Sequence, residues 1–272
     1  VRIMPEKVVA ASEPLYLNDA AIELPDTAIE AVRKETLHLY DNTFAILAHG
    51  LNLHRHDILS EKDFDDIVRT PRKPIEIDID EEYNLLVKGL YADIVQFISR
   101  AQTNMTAEQA DELFALRAAG RDIVEAIKDT KHMHKNLMQY GTSDNQYIRN
   151  EYNRIRGDLG EVLRQLDTAR TSGDDPAAIL ALDNLKIEME ANDSTANGIL
   201  EELIRDNRIT PAMATSLMND ASYAYDVAKN LIQMGEALFA TGDSAMREAE
   251  REIALTEEEL DQIQQELEAE NP

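Results

Sequence analysis

Glu125 and Asp129 stand four residues apart in the run Glu125-Ala-Ile-Lys-Asp129. On a helix, side chains at i and i+4 share one face about 6 Å apart, so two carboxylates there repel unless a cation, a Lys or an Arg sits between them. That spacing suits an oxygen-donor metal site. It suits equally a solvated acidic face, because a chain with 53 Asp and Glu repeats the pattern by chance. Ile123, Ile127 and Leu137 mark the apolar stripe of the same segment, and both acids fall away from it. Unpaired carboxylates facing inward would carry a heavy desolvation cost, so a surface cation site or a plain wet face is expected. Oxygen ligands suit a hard cation, and a site without His or Cys disfavours zinc.

Other chemistry is sparse. His54 and His56 lie beside Asp57 in a loop-like stretch, where alternate spacing holds a metal only if the loop is extended; exposed imidazoles on a polar connection are the plainer reading. His132 and His134 are two apart on a helix and point about 200° away from each other, so they cannot share an ion. His38 and His49 are eleven apart, keep one face, and read as interface or core-edge residues. The chain has no G-x-G-x-x-G, Walker, H-E-x-x-H or G-x-S-x-G motif. A di-iron bundle needs inward Glu and Glu-x-x-His pairs, and no histidine follows His134. Tyr83, Tyr91, Tyr147, Tyr152, Tyr223 and Tyr225 read as helix contacts, and the methionines as core filler. We expect no enzymatic activity.

The net charge of −26 argues against nucleic-acid binding, which needs Lys and Arg to displace counterions, and against an anionic membrane surface. It favours cations or a basic protein partner, and simple solubility accounts for it too. The absence of Cys removes disulfides and thiolate metal sites and fits a reducing compartment. No apolar run of 18 residues occurs, so no direct membrane insertion is expected. The chain opens at Val1, which leads us to expect a piece of a longer protein.

These residues must be positioned by helices. With few aromatics and no Trp, the core has to be built from Leu, Ile, Val, Ala and Met, which suits helix-on-helix packing. The periodicity predicts a helix opening at Asp26 with its carboxylate as cap, then a short one from Ser60, with Ser60 and Asp63 resembling a capping box. Longer helices follow over about 80–102 and from Thr106, boxed by Gln109, to about Gly141. The second half repeats the plan over about 144–171, from Asp175-Pro176 to about 206, and from Thr210-Pro211 to about 242. The expected architecture is all-α: two tandem three-helix bundles of long antiparallel helices, 26–141 and 142–242. A lead-in segment, 1–25, precedes them, and an acidic C-terminal helix or tail, 243–272, follows.

Glu13-Pro-Leu-Tyr-Leu-Asn18 through Pro25-Asp-Thr-Ala-Ile-Glu-Ala-Val-Arg-Lys-Glu35 resembles the segment by which bacterial sodium–phosphate cotransporters pass from their last transmembrane helix into a cytoplasmic PhoU-like domain. Arg208-Ile-Thr-Pro211 through Ser216-Leu-Met-Asn-Asp-Ala-Ser-Tyr-Ala-Tyr-Asp226 is similar to that domain's final helix. Together the likeness spans about residues 10–240. It implies a PhoU-like fold and a non-enzymatic role in controlling phosphate uptake or signalling from the cytoplasmic face of the inner membrane. The implied partners are the transmembrane part of its own cotransporter, a signalling protein, or a second copy in a homodimer. It also implies a divalent or trivalent metal ion as a candidate cofactor at E-x-x-x-D motifs. Glu125 and Asp129 match that motif. Asp226 matches its aspartate in the second repeat, where Ser222 replaces the glutamate. Asp78 and Glu82 are the acids at the start of the second helix, and Glu188, Glu190 and Asp193 give no clean match. A free-standing helical adaptor that binds a partner helix is the alternative.

Overall fold

The computed structural model describes residues 12–172, 180–182, 184–188 and 198–239. Every regular element among them is a helix. In chain order these are α1 (Asp19–Ile22), α2 (Pro25–Gly50), α3 (Arg55–Ile58), α4 (Phe64–Arg69), α5 (Ile79–Leu86), α6 (Lys88–Ala101), α7 (Ala107–Tyr140), α8 (Gln146–Ser172), α9 (Ile199–Arg205) and α10 (Pro211–Phe239). A 3-10 turn, Gln102–Asn104, follows α6, and residues 180–182 and 184–188 are helical. No helix is long and apolar enough to cross a membrane, among the described residues. The expected acidic tail, 243–272, and about half of the expected helix over Asp175–Asp206 lie outside them; within the described part that helix does not run through, because Gly198 turns to a left-handed φ of 76° before α9 begins.

The capping chemistry follows local sequence in most places and departs in two. Thr106 and Gln109 close a reciprocal capping box on α7, satisfying two first-turn amides. Thr210 Oγ1 accepts from Met213 N at the start of α10, and Pro211 needs no amide partner there. Asp26, however, is not a cap. Pro25 takes the first helical position, and the Asp26 carboxylate accepts instead from Gln109 Nε2 at 2.8 Å, tying α2 to α7. Asp63, not Ser60, caps α4 through the Asp65 amide. The expected helix over 80–102 is interrupted at Val87, whose φ of −120° leaves the α region. Asn42 Nδ2 occupies the Leu86 carbonyl freed at the break.

Cross-helix contacts give the directions. Asp26 lies by Gln109 and Gly50 by His134, so α2 and α7 run parallel. Arg100 reaches Asp19 while Asn42 meets Leu86, so α6 runs against α2. α10 runs against α7: Asn136 meets Asp220 at one end, and Arg33 bridges Glu112 and the Ala237 carbonyl at the other. α8 is parallel to α10 and antiparallel to α2, through Tyr152–Asp220 and Arg170–Asp41. The buried apolar residues form one cluster that runs through both halves of the chain.

Two other features fix the N-terminal parts. Glu35 is fully buried, and its carboxylate accepts from the Leu15 and Tyr16 amides at 2.9 and 2.7 Å while meeting His38 Nδ1 at 2.7 Å. The lead-in segment is thereby hydrogen-bonded to α2. Further on, α4 lies on α8 where Gly157 and Gly160 leave room for Phe64. A Cβ at Gly160 would stand 2.4 Å from Phe64 Cε1 and 3.0 Å from Leu53 Cδ1. Gly160→Ala is therefore expected to lower stability by about 1–3 kcal/mol despite better helix propensity. Gly89→Ala meets nothing within 4 Å and should be neutral or stabilising by under about 1 kcal/mol. Urea midpoints of the two variants check the contrast.

Candidate functional site

The acids singled out on α7 sit where that helix crosses α10. Asp129 is half-buried, and its carboxyl is pushed above the usual range by burial first, then by the charges of Asp226 and Glu125. Glu125 Oε1 accepts from Lys128 Nζ at 2.8 Å, which raises the lysine. Just along α7, His132 stacks on Tyr223 of α10, ring centres 5.0 Å apart. Asp122, one turn earlier, is pushed up to about 6 by burial. The structure thus brings Glu125, Asp129 and Asp226 within electrostatic reach of one another.

Asp78 and Glu82 are elsewhere. Asp78 caps α5 through the Glu81 amide, and Glu82 lines a separate cleft. Among the described residues, no group of three or more His, Asp or Glu side chains is arranged to hold a metal ion. The seam offers two neighbouring carboxylates and one already occupied by a lysine, which does not complete a ligand shell for a hard cation.

A buried polar triad adjoins the seam and is absent from the sequence reading. Asp220, 2% exposed, accepts from Tyr152 Oη at 2.5 Å and from Asn136 Nδ2 at 2.8 Å. Burial pushes its carboxyl up, and these two bonds pull it back. Three helices, α7, α8 and α10, meet on this carboxylate. The signal was present: Asp220 falls on the stripe of Leu217 and Val227, where only an apolar residue or a fully bonded acid is tolerated.

The cleft that holds Glu82 has a volume of about 910 Å³ and lies between α2, residues 74–78, α5 and α7. His134 Nδ1 lies 2.7 Å from the Gly50 carbonyl and donates to it. His49 is lowered, by burial first and then by His54, with Glu82 opposing. The lining carries imidazoles and carboxylates but no hydroxyl or amine, so it offers no nucleophile of the Ser or Lys kind. The remaining histidines separate as their spacing requires. His132 and His134 face different helices, and His54 stacks on exposed His56 while Asp57 bonds the His54 amide.

No family model, curated protein or solved structure matches the chain.

Two expectations follow from the seam. Asp220→Ala strands the buried Tyr152 hydroxyl and removes the partner of the half-buried Asn136 amide, and should cost about 2–4 kcal/mol. Asp226→Ala, on the exposed side, should leave stability unchanged or slightly raised by relieving Asp129; denaturant unfolding separates the two. Asp122 keeps its proton to about pH 6 in the fold, whereas unfolded it releases it near the model-peptide value of about 3.9. Between these values the folded state binds more protons, so this contribution is complete below about pH 4 and lost as pH rises through 6. Asp122→Asn should therefore gain stability relative to wild type from pH 4 to pH 7. Thermal melts across that range test the sign.

Proposed function

We propose that this chain is a non-enzymatic regulatory domain of the PhoU-like kind, attached to a sodium-dependent phosphate cotransporter at the cytoplasmic face of the inner membrane. In this reading 26–141 and 142–242 are two three-helix units lying side by side, and 243–272 is an accessory acidic segment. The alternation of α2, α6 and α7, with α8 and α10 both running against α7, supports that arrangement.

The observation that carries the proposal is the Glu35 clamp. The resemblance makes residues 13–18 the link to the membrane-embedded part, and two of their amides are hydrogen-bonded to a fully buried carboxylate. A flexible tether would transmit no force. A link bonded into the bundle moves with it, so a change in the bundle's contacts biases the transporter between two states. Regulation then runs by contact, through the transporter's inner face, a signalling protein or a second copy.

Deleting 26–240 from the full-length transporter should change the rate or set-point of phosphate uptake while its membrane level stays the same. Glu35→Ala, which leaves the Leu15 and Tyr16 amides without their acceptor, should reproduce part of that change. Uptake that keeps its wild-type response in both variants would sink the proposal.

A further inference from the structure

In a chain of net charge −26, one cleft is lined by four arginines. It has a volume of about 530 Å³ and lies between the turn at Asn52, the end of α4 with residues 70–72, the end of α7 and the first three turns of α8. Helical spacing sets Arg149, Asn153 and Arg156 at i, i+4 and i+7, on one face of α8 turned to this cleft. Arg69, at the end of α4, and Arg72, in the loop after it, line the opposite side.

The charges do not balance. Arg69 pairs with Asp65, and Arg72 with Asp57. The Asp57 carboxylate is committed to Arg72 and the His54 amide. Among the described residues, Arg149 and Arg156 have no carboxylate partner. Arg149 donates one N–H to the Ser143 carbonyl. Arg156 is only 7% exposed, and its donors go to neutral acceptors alone: the Leu51, Asn52 and Val68 carbonyls and Asn153 Oδ1. Burial first, then the charge of Arg72, pull its pKa down to about 10 against the opposing charge of Asp57, so it stays cationic at neutral pH. A buried guanidinium held rigidly by neutral acceptors, while the Asp57 carboxylate is bonded to Arg72 instead, leaves a positive cleft that an anion can neutralise.

We propose that this cleft binds a phosphate group, carried by inorganic phosphate or by a small phosphoester. The two guanidiniums match the charge of a phosphate dianion: Arg149, with one N–H given to the Ser143 carbonyl, presents the donors for its oxygens, and Arg156, with four of its five N–H groups bonded, supplies fixed positive charge. Asn150 stands at the rim with a neutral amide, and the volume admits a body larger than the bare ion. The acidic surface elsewhere does not forbid this, because at about 0.15 M salt charges more than roughly 8 Å away are largely screened. The inference rests on the cleft alone and holds whether or not the chain is attached to a transporter.

Calorimetric titration of the purified chain at constant ionic strength, with inorganic phosphate and with adenosine monophosphate, tests it. We expect one saturable site with a Kd below about 1 mM for at least one of them, which chloride does not reproduce. Arg149→Gln removes a half-exposed charge without touching the Arg156 carbonyl bonds and should weaken binding by about tenfold or more. Asn150→Asp, which puts a carboxylate at the rim, should do the same, with helix content unchanged in both. Much tighter binding of the nucleotide assigns the site to a phosphoester, and equal or weaker binding assigns it to the free ion. No saturable binding up to about 10 mM, or binding undiminished in both variants, overturns the proposal.

Discussion

The burial of α7 is the constraint on which the other elements depend. Its 34 residues make a rod about 50 Å long. The stripe of Leu113, Leu116, Ile123, Ile127, Met133 and Leu137 is fully removed from solvent only with α2 on one side and α10 on the other. One of these partners comes from each half of the chain. The halves therefore share a single hydrophobic cluster, and neither could close its own core without leaving one flank of α7 wet.

Polar groups then fix what apolar packing leaves free. Hydrophobic contact is tolerant of small sliding, whereas a carboxylate such as Asp220 or Glu35 is stable in the interior only with its particular donors in place. Each sets a register: Asp220 among α7, α8 and α10, Glu35 between the lead-in and α2. The same acids that stabilise nothing when exposed become selective when buried, because the cost of misplacing them is large.

The all-α class and most helix starts were legible, because period, proline and capping residues are local properties. Thr106 with Gln109, and Thr210 with Pro211, needed nothing beyond their own neighbours. Where a residue's role was tertiary, local reading failed. Asp26 looks like a cap, but Pro25 already begins the helix and the carboxylate serves a contact 83 residues away. The break at Val87 is tolerated because Asn42, on another helix, receives the freed carbonyl. The acids on α7 were found by spacing, yet spacing did not say that Asp226 would face them or that Lys128 would occupy Glu125. The arginines of α8 went unremarked because no linear motif marks residues drawn from four separate stretches of chain.

The connection between α2 and α5 is held largely by residues that lie far downstream. The carbonyls of Leu51 and Asn52 are bonded by Arg156, and those of Ile58 and Lys62 by Arg164, each about a hundred residues later in the sequence. Phe64 likewise has its seat at Gly160, under the Arg164 guanidinium. On a ribosome the chain emerges from its N-terminus, so this loop leaves the exit tunnel well before its anchors have been translated. It must stay soluble through that interval without them, which the five charged residues flanking Phe64 between Glu61 and Asp66 make feasible. The loop is thus among the first parts to be made, yet it gains its anchors only once α8 has followed.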